Sequence, residues 1–255
     1  MTFTVAIAGK GGVGKTTFAA LAVRHFAQSK GDVVLAVDAD PNSNLGAKLA
    51  TEPGRTLGNI REEMLAKGDD LPKGMSKQEY LDYQIHLALK EGDGFDLITM
   101  GRQEGPGCYC YVNNMLRMFL DALVSKYGFV VVDNEAGMEH LSRRTTIAPD
   151  VLIVVCDRTK AALDAAKRIA SLADEMKIMA KRKVIVFNMV EEGSTGSQAK
   201  HVEGFDAVYS VKNSRAIKAK AAESESIVEI PRNDPAFADI AMILDVERKA
   251  AGLTR

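Results

Sequence analysis

The sequence predicts an α/β fold: a single domain with a mostly parallel β-sheet flanked by helices on both faces. Short apolar, β-branched runs alternate with longer stretches of helical periodicity, as in sheets whose strands are joined by crossover helices. A glycine-rich segment follows the first apolar run and opens the first helical stretch. The chain has 255 residues, of which 46% are hydrophobic. This is enough for one core, so we expect one domain over residues 1–255.

The predicted strands are apolar runs that suit burial on both faces of a parallel sheet. They are Thr4–Ala8, Val33–Val37, Leu97–Met100, Phe129–Val132, Val151–Val155 and Val184–Phe187. The predicted helices carry apolar residues three and four positions apart. They cover Thr16–Ser29, Val112–Tyr127, Lys160–Met179 and Phe237–Lys249. Residues 51–94 are more polar and are expected to be mostly helix and loop, whereas residues 191–206 are expected to form a loop.

Charge and composition argue against several classes of protein. The net charge of −1 provides no global basic field that would attract nucleic acid or an anionic membrane. No stretch approaches the roughly 20 apolar residues of a membrane span, and the first residues read as a strand rather than a signal peptide. Three cysteines fit a reducing compartment better than a disulfide framework. We therefore expect a cytoplasmic protein with no membrane and no nucleic-acid partner.

The glycine-rich segment fits the phosphate-loop pattern, with a strand before it and a helix after it. Its residues are Gly9, Lys10, Gly11, Gly12, Val13, Gly14, Lys15, Thr16 and Thr17. The glycines allow a tight turn that presents backbone amides to phosphate oxygens, and the helix N-terminus adds its positive end. Lys15 is expected to reach the β- and γ-phosphates, and the Thr16 hydroxyl is expected to bind Mg²⁺.

Acidic residues end two of the predicted strands. Asp38 and Asp40 follow the second apolar run, and Asp133 ends the run Phe129–Val132. Beside a phosphate loop, one carboxylate can orient an attacking water and others can hold Mg²⁺ through its water ligands. The alternative is that these acids cap helices. We assign Asp38 and Asp133 to the magnesium site.

The early lysine, Lys10, resembles that of the deviant phosphate-loop ATPases, the group of the nitrogenase iron protein, MinD and the partition ATPases. The resemblance implies that Lys10 crosses a homodimer interface to the partner's nucleotide and that Asp40 orients the attacking water. It also implies a backbone amide from Gly137 near the γ-phosphate. Asn188 and the loop with Pro231 would contact adenine. Nothing resembles a guanine-reading motif, so we expect ATP; the alternative for Asn188 is a turn residue after a strand.

Two of the three cysteines, Cys108 and Cys110, are separated by one residue. Their position before a predicted helix favours thiolates, and a disulfide between them would be strained. In an extended segment both sulfurs face the same side, which supplies half of a tetrahedral site. A two-fold dimer would supply the other half and hold Ni²⁺, Zn²⁺ or an iron–sulfur cluster. Cys156 ends an apolar strand and is interpreted as a buried small hydrophobe.

The thiol pair and the stretch Asp133–Arg144 (Asp-Asn-Glu-Ala-Gly-Met-Glu-His-Leu-Ser-Arg-Arg) together resemble the CooC-type ATPases. That family implies ATP-dependent dimerisation and assistance with nickel insertion into carbon monoxide dehydrogenase, with Ni²⁺ or Zn²⁺ at the dimer interface. Two alternatives stay open. One is a redox ATPase like the nitrogenase iron protein, although that relative draws its cluster ligands from sites far apart in sequence. The other is a positioning ATPase of the MinD or partition kind.

Overall fold

The computed structural model describes residues 1–29, 32–52, 54–68, 70–101, 110–135, 148–191, 201–223 and 225–253, and for residues 110–114 the backbone alone. In these ranges the strands are β1 (Phe3–Gly9), β2 (Val34–Ala39), β3 (Lys90–Glu91), β4 (Phe95–Thr99), β5 (Phe129–Asn134), β6 (Val151–Cys156), β7 (Arg182–Val190) and β8 (Ala207–Lys212). The helices are α1 (Lys15–Phe26), α2 (Leu45–Lys48), α3 (Leu57–Lys67), α4 (Lys77–Ala88), α5 (Cys110–Val124), α6 (Lys160–Glu175), α7 (Arg215–Ala222) and α8 (Pro235–Ala250).

The strands form one sheet in the order β3-β4-β2-β5-β1-β6-β7-β8. Every pair is parallel except β3 with β4. Parallel strands need crossover connections, and helices follow β1, β2 and β6 as that rule requires. All carboxyl ends of the parallel strands therefore meet at one edge of the sheet, where α/β proteins bind ligands. The predicted fold class is confirmed.

Both faces of the sheet are covered, which explains why β1, β2, β5 and β6 are buried along their whole length. Helices α1 and α8 cover one face, where the Phe26 ring stacks on Phe129 with 4.5 Å between centroids. The opposite face is covered by α3, α4 and α5 on one side and by α6 on the other. None of the helices within the described ranges is long and apolar enough to cross a membrane.

A buried ionic cluster ties α8 to the sheet. Glu247 is 1% exposed and accepts hydrogen bonds from Arg182 Nε on β7 and from the Tyr209 hydroxyl on β8, both at 2.5 Å. Burial and the carboxylate both raise the pKa of Tyr209, so its proton stays in place to donate. A charge at this depth persists only because its partners replace the water it has lost.

The elements differ from the sequence predictions mainly at their ends. Val33 was predicted to open β2 but is 49% exposed, and the strand begins at Val34. The helix expected from Val112 begins at Cys110. Strands β3 and β8 and helices α2 and α7 have no counterpart in the prediction. Helices α3 and α4 confirm the expectation for residues 51–94, whereas residues 192–200 of the expected loop lie outside the described residues.

Candidate functional site

The predicted phosphate loop connects β1 to α1 and depends on two glycines for its path. Gly9 has φ +150°, and a Cβ there would lie 2.2 Å from the Val155 carbonyl oxygen on β6. Gly14 has φ +90°, and a Cβ there would lie 2.6 Å from Asn188 Nδ2. A side chain at Gly9 would therefore collide with the backbone of β6, one at Gly14 would displace the Asn188 side chain, and both would strain the loop backbone. The loop can approach the sheet edge this closely because both positions are glycine.

The two lysines of the loop lie in different environments. Lys15 is buried at the first position of α1, and its Nζ donates to the Lys10 carbonyl oxygen at 3.3 Å. This bond holds the ammonium group over the loop, beside the half-buried Thr16. The Lys10 side chain is exposed, so its ammonium group is accessible to a second chain. Contact with a partner's nucleotide stays a prediction.

The two acids assigned to magnesium occupy paired positions on neighbouring strands. Asp38 on β2 and Asp133 on β5 are register partners, and they are 1% and 0% exposed. Burial and the neighbouring carboxylate raise the pKa of Asp133 to about 7, although the Thr16 hydroxyl and Lys15 act in the opposite direction. Burial raises the pKa of Asp38 to about 6. Sequence reasoning identified both residues, but pairing of their strands is what puts the two carboxylates together.

The Asp133 carboxylate fits a site for a cation. Among the residues that the structure describes, neither of its buried oxygens has a hydrogen-bond partner of good geometry. A buried carboxylate without donors is costly, and a divalent cation with its water ligands would supply both charge and donors. Asp133, Asp38 and the Thr16 hydroxyl are the oxygen ligands that Mg²⁺ prefers. The residues present therefore fit the expected ion.

The loop after β2 is organised around its two aspartates. Asp38 accepts hydrogen bonds from the backbone amides of Leu45 at 3.0 Å and Asp40 at 3.3 Å. The Asp40 carboxylate in turn accepts from the amide and the side chain of Asn42, at 2.9 and 3.0 Å. Asp40 is half-buried and faces the cleft beside the phosphate loop. Its position suits the predicted role of orienting water.

A cleft of about 680 Å³ extends from the phosphate loop to α7, which is within the usual range for small-molecule sites. Its lining includes Gly12, Lys15, Asp40, Asn188, Met189, Asn213, Ser214, Ile217, Ala221 and Ile240. Asn188 donates from Nδ2 to the Val13 carbonyl oxygen at 2.9 Å, which leaves its side-chain oxygen as an acceptor. Pro231 is not among the described residues that line the cleft. Met189 and Ile217 were missed, because neither carries a motif.

Several predicted site residues cannot be located in this way. Gly137 and Cys108 lie outside the described residues, and of Cys110 only the backbone, at the start of α5, is described. In the part of the chain that is described, no group of three or more His, Cys, Asp or Glu side chains is arranged to hold a metal ion. Cys156 is buried, which raises the pKa of its thiol to about 12 and confirms its interpretation as a small hydrophobe.

The fold and the phosphate loop define a nucleotide-binding protein, and comparison with known families makes the class specific. Residues 4–228 match the CobQ/CobB/MinD/ParA nucleotide binding domain. The chain therefore belongs to this family. It is 49% identical over 189 residues to an uncharacterized ATP-binding protein of Methanocaldococcus jannaschii, covering 73% of this chain and 74% of that protein.

Two further similarities are more distant. The carbon monoxide dehydrogenase accessory protein CooC of Rhodospirillum rubrum is 29% identical over 185 residues, which is 68% of this chain and 70% of that protein. The structure of the MinC:MinD cell division protein complex of Aquifex aeolicus superposes with a TM-score of 0.70 at 19% identity, covering 100% of this chain and 97% of that one. At this identity the likeness concerns the fold alone.

Proposed function

We propose that this protein binds ATP with Mg²⁺ and hydrolyses it to ADP and phosphate. The observation that carries the proposal is the buried pair Asp38 and Asp133, in register at the sheet edge beside Lys15 and Thr16. Two buried carboxylates side by side destabilise the protein when no cation is bound, and they suit the magnesium ion of a nucleoside triphosphate. Similarity to an ATP-binding protein supports adenine as the base.

Each residue then has a separate role. The backbone amides of the loop and the Lys15 ammonium group hold the β- and γ-phosphates in place. Mg²⁺, when bound, would neutralise charge that develops on the phosphates, with Thr16 and Asp133 as its nearest protein groups. Asp40 orients the attacking water, and Lys10 reaches the phosphates of a second chain. Hydrolysis removes that contact, so the homodimer is expected to loosen.

Phosphate release from ATP tests the proposal. We expect Lys15→Ala to lower turnover by at least about 100-fold, because the phosphates lose a positioned charge. Lys126→Ala changes an exposed lysine after α5 and should retain activity, which controls for surface charge. Turnover that persists in Lys15→Ala would contradict the assignment.

We further propose that the ATPase serves metal delivery, as an accessory factor for nickel insertion into carbon monoxide dehydrogenase. The spacing of Cys108 and Cys110 and the similarity to CooC support this role. Two thiolates from each chain of a homodimer would hold one Ni²⁺ or Zn²⁺ on the two-fold axis. The switch segments after β2 and β5 would link nucleotide state to metal affinity, and metal would change nucleotide affinity by the same factor.

The first experiment is nickel and zinc stoichiometry with the mass of the species, for wild type and for the variant with both Cys108→Ser and Cys110→Ser. One metal per two chains, lost in the variant while basal hydrolysis remains, supports metal delivery. Visible absorbance of an iron–sulfur cluster after anaerobic purification would favour the redox alternative. A nucleotide-dependent dimer without metal would favour a positioning ATPase of the MinD or ParA kind, a class the family includes.

A further inference from the structure

The end of β7 contains an irregularity at the nucleotide cleft. Phe187 pairs with Ser210, and the next pair of the ladder is Val190 with Lys212. Three steps along β7 therefore oppose two along β8, so β7 carries one extra residue, which defines a β-bulge. Within the bulge Met189 has φ +55°, in the left-handed region that non-glycine residues rarely occupy.

The bulge changes which side chains face the phosphate loop. In a regular strand successive side chains point to opposite faces, so only one of Asn188 and Met189 could face the cleft. Here both line it. Asn188 donates to the Val13 carbonyl oxygen, and the Met189 methyl carbon lies 3.2 Å from the position that a Cβ on Gly14 would take. The strained backbone thus aims a second side chain at the end of the loop.

Methionine is an unusual residue in the left-handed backbone conformation that Met189 adopts. Its side chain is apolar yet 50% exposed, so neither core packing nor a polar partner explains the strain. Strain of this kind persists where surrounding structure enforces it, and bulges often re-aim a side chain near a functional site. Across the same cleft, Ile217 and Ala221 of α7 supply further apolar surface. The region beyond the phosphate loop therefore offers apolar groups suited to a flat aromatic ring.

We propose that Met189 is the platform on which the base of the bound nucleotide lies, which makes it a further nucleotide-binding residue. This rests on the proposed nucleotide site and adds a contact that its motif residues do not supply. The thioether of methionine contacts aromatic rings favourably and adapts its shape to them. The base would cover the exposed side chain, while Asn188 offers its side-chain oxygen to an exocyclic amino group.

Binding of ADP and of inorganic tripolyphosphate, both with Mg²⁺, separates the base from the phosphates. Calorimetry on Met189→Ala should show ADP affinity reduced about 10-fold, with tripolyphosphate affinity unchanged. Met189→Leu keeps an apolar side chain and should bind ADP within about 3-fold of wild type. Met242→Ala removes a methionine of similar exposure on α8, away from the cleft, and should match wild type for both ligands.

The outcomes distinguish the platform from the nucleotide site itself. Unchanged ADP affinity in Met189→Ala overturns the platform and leaves the proposed function standing. Equal loss of both ligands also overturns it, because Met189 would then support the phosphate loop. Wild-type protein that binds neither ligand overturns the proposed function. Retained tripolyphosphate binding shows that the phosphate site of a variant is folded. If Met189→Ala fails to fold, Met189→Gln replaces it in the test. Glutamine has a similar length but a polar end, so this variant should bind ADP more weakly than wild type.

Discussion

Replacing Asp133 by asparagine should stabilise the nucleotide-free, metal-free protein while removing its magnesium-dependent activity. The carboxylate is fully buried and has no hydrogen-bond partner of good geometry among the described residues. Lys15 and the Thr16 hydroxyl offset only part of the cost of its charge, because the pKa of Asp133 stays raised when no cation is present. Asparagine has nearly the same shape and carries no charge. A gain in stability with a loss of function is the expected result for a residue kept for its ligand.

The magnitude follows from the pKa. Asp133 titrates at about 7 in the folded protein against a reference value of 3.8. A difference of about 3 units corresponds to about 4 kcal/mol at a pH above both values. The new amide group needs partners, and unmet hydrogen bonds of this kind cost about 1–3 kcal/mol. The net gain expected for Asp133→Asn is therefore about 2 kcal/mol, or about 4–8 °C in the unfolding temperature of a chain this size.

The stability difference between Asp133→Asn and wild type should depend on pH. A carboxyl group whose pKa is raised by folding binds a proton more tightly in the folded state, so stability falls as the pH rises between about 4 and 7. Asp133→Asn lacks this proton. Thermal unfolding in a chelating buffer should show no gain in stability for Asp133→Asn near pH 4, where the Asp133 carboxyl group of wild type is protonated. Above pH 7 the variant should show the full gain in stability.

Asp150 provides a matched control. It is also a buried aspartate next to the end of a strand, since it directly precedes β6. Unlike Asp133, it accepts a hydrogen bond from the Thr4 amide at 2.8 Å and pairs with Lys181 Nζ at 2.6 Å. Asp150→Asn should therefore lower stability by about 1–2 kcal/mol. If Asp133→Asn is destabilised to the same extent above pH 7, the carboxylate is compensated by the protein, and the argument for a cation site fails.

Three further substitutions and one control test other parts of the structure. Glu247→Ala leaves the half-buried Arg182 and Tyr209 side chains without their acceptor and should cost about 1.5–3 kcal/mol in denaturant unfolding. Asn188→Asp sets a carboxylate against the Val13 carbonyl oxygen and should lower ATP affinity about 10-fold in calorimetry. Gly14→Ala adds a Cβ 2.6 Å from Asn188 Nδ2 and should abolish nucleotide binding. Gly204→Ala, the control, has a similar φ of +87°, but no atom of the described residues lies within 4 Å of its added Cβ, and it should bind nucleotide normally.

Sequence reasoning is most specific where the chemistry is local. The phosphate loop is contiguous, and Asp38 and Asp133 each end an apolar run, so patterns within a few residues identify them. Met189 could not be found in this way, because its position depends on a bulge set by pairing between two strands. The loop with Pro231 was placed at the base by resemblance, whereas Ile217 of α7, a helix that buries no residue, lines the cleft.

The position of β1 in the sheet has a consequence for how the chain folds. β1 lies between β5 and β6, which are complete only at residues 134 and 156. During synthesis the phosphate loop therefore stays without its neighbours until more than half of the chain has been made. Long-range parallel pairing of this kind is slow, and an apolar strand that waits for partners is prone to aggregate. A ligand of the finished site stabilises only chains that have already folded, so it cannot protect the nascent one.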